Sequence, residues 1–90
     1  MGPLLLAVDC EFPKEIIEKL LSLGCDVNEF DNTGRNALHY ACDLENLEVI
    51  QFLLEKGTNH SLADQDGLKP FDDCSPDIEK IYTNFIQKSN

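Results

Sequence analysis

The feature that most restricts this chain is an internal period of 33 residues. Asp31-Asn32-Thr33-Gly34 recurs as Asp64-Gln65-Asp66-Gly67; Leu53-Leu54 and Gly57 are preceded at the same interval by Leu20-Leu21 and Gly24. Between these markers, Asp31 to Gly57 reads as one unit. It has a turn, a helical pattern at Ala37, Leu38 and Ala41, a second at Leu47, Ile50, Leu53 and Leu54, and a closing glycine. Two helices this short cannot bury their apolar faces on each other alone, so the unit needs neighbours. Units of about 20–50 residues repeated in register stack into solenoids, each covering the next. That matters for a chain of 90 residues, whose core would be marginal as a compact globule.

The residues inside the period carry a family resemblance. Asn36-Ala37-Leu38-His39-Tyr40-Ala41 resembles the Thr-Pro-Leu-His-x-Ala motif of ankyrin repeats, and Leu53-Leu54-Glu55-Lys56-Gly57 resembles their Leu-Leu-x-x-Gly. Gly24-Cys25-Asp26-Val27-Asn28 looks like Gly-Ala-Asp-Val-Asn, the lead into the next finger. Gly2-Pro3-Leu4-Leu5-Leu6-Ala7 matches the first motif again, with one extra residue before Gly24, and Lys69-Pro70-Phe71 opens a third copy. The chain is identified as a member of the ankyrin-repeat family. The resemblance implies an all-α solenoid of helix-turn-helix units joined by short β-turn or hairpin fingers. It also implies a single domain of repeat 1 (about 2–30), repeat 2 (about 31–63) and a truncated capping repeat (about 64–90).

The local chemistry sharpens these expectations. Pro3 suits the first turn of a helix, where a missing N–H costs nothing. Leu4 and Ala7 should enter the stack, while Leu5, Leu6 and Val8 leave the opening helix apolar nearly all round. A terminal unit should be polar outside, so a preceding repeat, another domain or a second copy is expected to cover Leu5, Leu6 and Val8. A second helix is expected over Glu15–Leu23, with Ile16, Ile17, Leu20 and Leu21 as its buried stripe. Glu45-Asn46 stands where the family favours Gly-His, so that turn departs from the pattern. In the third copy only Ser75-Pro76 separates Cys74 from Asp77, so its first helix should be very short or absent. Ser75, Pro76 and Asp77 are a strong helix start. The stripe Ile78, Ile81, Tyr82, Phe85, Ile86 opposite Glu79, Lys80, Thr83, Asn84, Gln87 and Lys88 describes a cap.

The charge narrows the partners. Seventeen acids against seven bases give a formal charge of −10, spread evenly between the two halves. Repulsion from phosphate argues against nucleic acid or an anionic membrane, and favours a protein partner with a basic surface. No segment approaches the ~20 apolar residues of a membrane span. The start lacks the basic residues of a signal peptide, and Leu6 stands where a myristoylation motif needs Ser or Thr. Met1-Gly2 is read as a remnant of recombinant expression. Cys10, Cys25, Cys42 and Cys74 show no metal-ligand or redox spacing. As small hydrophobes at or near the family's alanine positions, Cys25, Cys42 and Cys74 fit a reducing compartment, cytoplasmic or nuclear.

No chemistry is legible. A glycine-rich phosphate loop, a nucleophile elbow and a histidine–carboxylate metal set are all missing from the sequence, which predicts neither catalytic residues nor a cofactor. Asp64-Gln65-Asp66-Gly67 imitates part of a calcium loop, but the alignment puts Leu62 at the first ligand position and Asp73 at the last. His39 holds the family's histidine position and is expected to tie adjacent loops together; His60 is expected to be exposed.

The resemblance therefore implies a non-catalytic protein–protein interaction module, part of a larger adaptor or multidomain protein. Carried over by motif, the partner-binding positions are Phe30, Asn32, Thr33, Arg35, Asp43 and Leu44 in the second copy. In the third they are Ala63, Gln65, Asp66 and Leu68. Phe30, Leu44 and Leu68 ringed by polar groups, with Arg35 adjacent, look like a hot-spot cluster. Two alternatives remain. Leu20 to Asn28 resembles the sequence that asparaginyl hydroxylases accept, which would make Asn28 a modification site. The chain also resembles the accessory ankyrin tail of long acyl-CoA-binding proteins.

Overall fold

The computed structural model describes residues 2–72 and 74–88, so Met1, Asp73, Ser89 and Asn90 lie outside the described residues. Among those described, five helices follow in order: α1 (Pro3–Asp9), α2 (Lys14–Ser22), α3 (Ala37–Asp43), α4 (Leu47–Glu55) and α5 (Pro76–Lys88). α1 pairs with α2 and α3 with α4; α1 stacks on α3, α2 on α4, and α5 closes the far side of α4. The architecture is the helical solenoid that the period implied.

α3, α4 and α5 start on side chains placed to cap them. Asn36 accepts from the His39 N–H at 3.2 Å while the His39 ring accepts the Asn36 N–H at 3.1 Å, a reciprocal cap. Asn46 accepts from Val49 N–H at 3.3 Å, and Ser75 Oγ from Ile78 N–H at 3.4 Å, directly ahead of Pro76. Gly2 has no side chain to offer. Instead Glu29 reaches from the next hairpin and accepts the Leu5 N–H at 2.9 Å. The turns between paired helices are stopped by non-glycine residues in the left-handed region, Glu11 (φ 58°) and Glu45 (φ 53°). The Glu45-Asn46 turn is thus fully formed despite its departure from the family pattern, at the cost of local strain.

The core runs through all five helices, from Leu4, Leu5, Ala7 and Val8 through Ile17, Leu38, Ile50, Leu53 and Leu54 to Ile78. Two expectations are corrected here. Leu5 and Val8 are buried within the chain itself, because α2 and α3 close around α1; only Leu6 of that trio stays exposed. In α2, Ile17 alone is fully buried, Leu20 and Leu21 are half-buried, and Ile16 is exposed. The expected stripe is real, but nothing here covers its outer edge.

The third copy has no first helix among its described residues. A turn held by the Lys69 N–H to Asp72 carboxylate bond (2.9 Å) leads towards α5. Phe71 stacks on Tyr82 with centroids 4.0 Å apart. His60, expected to be exposed, is half-buried: its Nδ1 lies 2.8 Å from the Tyr82 hydroxyl and its ring meets Tyr82 edge-on. The α5 stripe buries Ile78 and half-buries Ile81, Tyr82 and Phe85, while Ile86 sits exposed at its margin. No described helix is long and apolar enough to cross a membrane.

Candidate functional site

Two hairpins and the start of α3 build a groove, and the period builds both hairpins alike. Asp31 Oδ1 accepts the Thr33 N–H (2.8 Å), the Thr33 hydroxyl (2.6 Å) and the Arg35 N–H (3.1 Å). One period on, Asp64 Oδ1 accepts the Asp66 N–H (2.9 Å) and the Leu68 N–H (3.0 Å). The aspartate is thus a turn-former at both places, its carboxylate satisfied by its own loop. That accounts for the calcium-like pattern without an ion, and Asp73, its last position, lies outside the described residues.

The hairpins are joined edge to edge. Gln65 N–H donates to Thr33 C=O at 2.8 Å. Gly34, at φ +82°, lets the backbones close, since a Cβ there would stand 3.2 Å from the Asp64 Cα. His39 is the rivet. It is 4% exposed, its Nδ1 accepts from the Asn36 backbone, and its Nε2 lies 2.9 Å from the Leu68 carbonyl. An amide can only donate and a carbonyl only accept, so these two contacts ask the ring to accept at Nδ1 and donate from Nε2; Nδ1 also lies 2.9 Å from the Asn36 side-chain oxygen. Asn36 extends the tie by donating to the Asn59 carbonyl at 2.8 Å. His39 therefore locks α3 to the next hairpin and is spent in doing so.

Tyr40 and Arg35 set the electrostatics of the groove. The Tyr40 hydroxyl donates to Asp31 Oδ2, and the Arg35 guanidinium pairs with Asp43, donates to the His39 carbonyl at 3.3 Å and lies 5.0 Å above the Tyr40 ring. The bond to Asp31, with burial and the charge of that carboxylate behind it, pushes the Tyr40 hydroxyl up to about 12. For Asp31, burial works to raise the pKa. The Thr33 and Tyr40 hydroxyls and the two backbone N–H groups outweigh it and hold the carboxyl well below the usual range. Burial, with the neighbouring Cys74 and the Asp43 charge behind it, pushes the Cys42 thiol up to about 12, so it sits as an inert small hydrophobe. Cys25 and Cys74 are half-buried and Cys10 is exposed.

The resulting cleft has a volume of about 430 Å³ and includes Thr33, Arg35, Asp43, Gln65, Asp66 and Leu68 from the predicted partner-binding set. Phe30, Asn32, Leu44 and Ala63 do not line it, so the expected cluster of Phe30, Leu44 and Leu68 is not gathered in one place. Phe30 is nonetheless 63% exposed; its backbone bridges to Asn36 and its ring points to solvent rather than folding onto the finger. Asp31, Tyr40 and Lys69 line the cleft and were absent from the predicted set. Their signal was available in part: Tyr40 follows the riveting histidine, and a large polar aromatic there has to find a partner for its hydroxyl. Four carboxylates (Asp31, Asp43, Asp64, Asp66) face two cations (Arg35, Lys69), so the cleft is net negative. Away from it, Asn28 is exposed, and its Oδ1 accepts the Asn59 N–H at 2.6 Å.

Comparison with known proteins agrees with this geometry. The family model for ankyrin repeats in three copies matches residues 1–71. A putative ankyrin repeat protein of Acanthamoeba polyphaga mimivirus is 38% identical over 56 residues, 62% of this chain but 8% of the viral protein. Alpha-latroinsectotoxin-Lt1a of Latrodectus tredecimguttatus is 36% identical over 70 residues, 78% of this chain and 5% of the toxin. Protein phosphatase 1 regulatory subunit 27 of Mus musculus is 30% identical over 71 residues, covering 79% of this chain and 46% of the mouse protein. The chain thus spans less than half the length of each of these relatives.

Proposed function

This chain belongs to the ankyrin-repeat family, and we propose that it is a non-catalytic module that binds a protein partner with a basic surface. Modules of this family are generally protein–protein interaction units. The observation that carries the finer reading is the joined pair of hairpins: a preformed, net negative cleft with exposed Leu68 on its wall and exposed Phe30 nearby on the chain. Preformed walls lower the ordering cost of binding, and the acidic field steers a basic ligand. Arg35 contributes from within, by holding Asp43 and covering Tyr40. The reading places the module inside a larger adaptor or multidomain protein, in the cytosol or nucleus.

Affinity capture tests it with an Asp66→Lys/Leu68→Ala variant beside the unaltered chain, both side chains being exposed. A basic protein retained by the unaltered chain, released by added salt and lost by the variant is the expected result. Equal recovery by both would remove the cleft from the account. A second reading, hydroxylation of Asn28, draws support from that residue's exposure. A one-oxygen mass increase on Asn28 in protein from its native cell would establish it, and unmodified Asn28 would retire it.

A further inference from the structure

Two cysteines from different copies line one pocket. Cys42 sits in the last turn of α3 and is 8% exposed; Cys74 sits in the turn before α5 and is half-buried. The pocket holds about 380 Å³, and Asp43, Glu45 and Ser75 complete its lining. Burial, and then the charge on Cys74, resists ionisation of the Cys42 thiol, so the two sulfurs lie within electrostatic reach of each other. The period explains the meeting. Cys74 follows Ala41 by 74 − 41 = 33 residues, so a full third copy would carry it inside a first helix, as Ala41 is carried in α3. The described residues form no such helix. Instead the Cys74 sulfur lies 3.3 Å from the Phe71 carbonyl, and the next residue, Ser75, caps α5.

Either thiol alone is a small hydrophobe. Cys42 is inert towards solvent because water scarcely reaches it, but it is not shielded from a sulfur in its own pocket. We propose that Cys42 and Cys74 are a thiol pair that a low-molecular-weight disulfide of the glutathione type oxidises to an intrachain bond, tying α3 to the capping unit. The more accessible Cys74 reacts first. Its thiolate attacks one sulfur of the small disulfide, a mixed disulfide forms at Cys74, and one small thiolate leaves and takes up the proton that Cys74 gave up. Cys42 then loses its proton to solvent and attacks the Cys74 sulfur. The intrachain S–S bond forms, and the second small thiolate leaves and is protonated. The two protein thiols lose two electrons, and the small disulfide is reduced to two thiols. The thiolate is the attacking form, so the buried Cys42 makes the second step the slow one. In a reducing compartment such a bond is transient and forms under oxidant. The tie does not depend on what the acidic cleft binds.

The test is glutathione disulfide in excess over the folded chain, with Cys42→Ala and Cys74→Ala variants beside it. Tryptic cuts after Lys14, Arg35 and Lys56 put each of the four cysteines on its own peptide, so every bond is read directly by mass spectrometry. The expected course is a glutathione adduct on Cys74 that gives way to a Cys42–Cys74 link, while exposed Cys10 keeps its adduct. Closing a loop of this length should raise the melting midpoint by about 10 °C, and reductant should reverse the rise. Cys42→Ala should stop at the Cys74 adduct, and neither variant should show the link or the rise. No adduct on Cys74, an adduct there that never closes, a link through Cys10 or Cys25, or a link that leaves the midpoint unchanged would each overturn the proposal. So would closure only in urea, which would assign the bond to the unfolded chain.

Discussion

The two helix pairs of this chain share a period and differ in what surrounds them. Leu20 and Leu53 occupy the same repeat position; Leu53 is fully buried and Leu20 only half-buried. Asn36 caps α3 from its own side chain, whereas Gly2 leaves the α1 terminus to Glu29, which arrives from the following hairpin. The second pair is covered on both sides, by α1 and α2 and by α5, and it carries the cleft. The first is covered on one side. A repeat position therefore has no fixed energetic worth, because its contribution is set by the neighbours its face meets.

Truncating the equivalent leucines should show this most strongly. Leu53→Ala is expected to cost about 3 kcal/mol, as for a fully buried leucine, and Leu20→Ala about 1 kcal/mol, measured by urea unfolding. Equal costs would mean that the flank of the first pair is covered in solution. The helix starts come next. Asn36→Ala removes a buried cap and orphans both the His39 N–H and the Asn59 carbonyl, at an expected cost of about 2 kcal/mol. Glu29→Ala should cost about 0.5 kcal/mol, because it frees the Leu5 amide alone.

The bond between Tyr40 and Asp31, beside the second pair, makes its stability depend on pH. Tyr40 titrates higher in the folded chain than in the unfolded one. Its stabilisation is therefore complete below about 10, the unfolded value, and is lost as pH rises towards about 12. Asp31 titrates lower when folded, so its contribution is present above about 3.9 and disappears as pH falls below that value. Tyr40→Phe should flatten the alkaline limb and lower neutral-pH stability by about 1 kcal/mol, with the half-exposed site discounted. The same alkaline loss in the variant would place its origin elsewhere. An effect as small as that of Glu29→Ala should be the most even: Glu11→Gly and Glu45→Gly each relieve a left-handed residue and should each stabilise by about 0.5 kcal/mol. Both turns have the same strain whatever covers their helices, so a clear difference between them would show that neighbours reach even the turns.

Much of this was readable beforehand because local rules and the tertiary result agreed. The period named the units, Ser75-Pro76-Asp77 marked the start of α5, and His39 stood where a tie was expected. The misreadings share one cause. Periodicity marks Leu5 and Val8 as outward and Ile16 as inward, and the fold reverses both, because periodicity tells which residues share a face but not which face meets which neighbour. His60 looked exposed for the same reason: nothing adjacent to it in the chain shows that Tyr82 will arrive above it. The cleft was legible at Thr33, Arg35, Asp43, Gln65, Asp66 and Leu68, which hold repeat positions. Phe30 and Leu44 fall outside it: the Phe30 side chain is largely exposed at the hairpin, and Leu44 is the C-cap of α3 rather than part of a hairpin.

The sequence by itself determined the repeat unit, its helices, the order in which they stack and the caps of α3 and α5, since these follow from spacing and from hydrogen bonds within a few residues. Only the tertiary structure decided that Tyr40 would keep its proton and Asp31 its charge through their shared bond, that the two hairpins would close into one acidic cleft, and that the flank of Leu6 and Ile16 would stay open. Those outcomes depend on groups many residues apart meeting at bonding distance, and burial and pairing set the energies of such meetings.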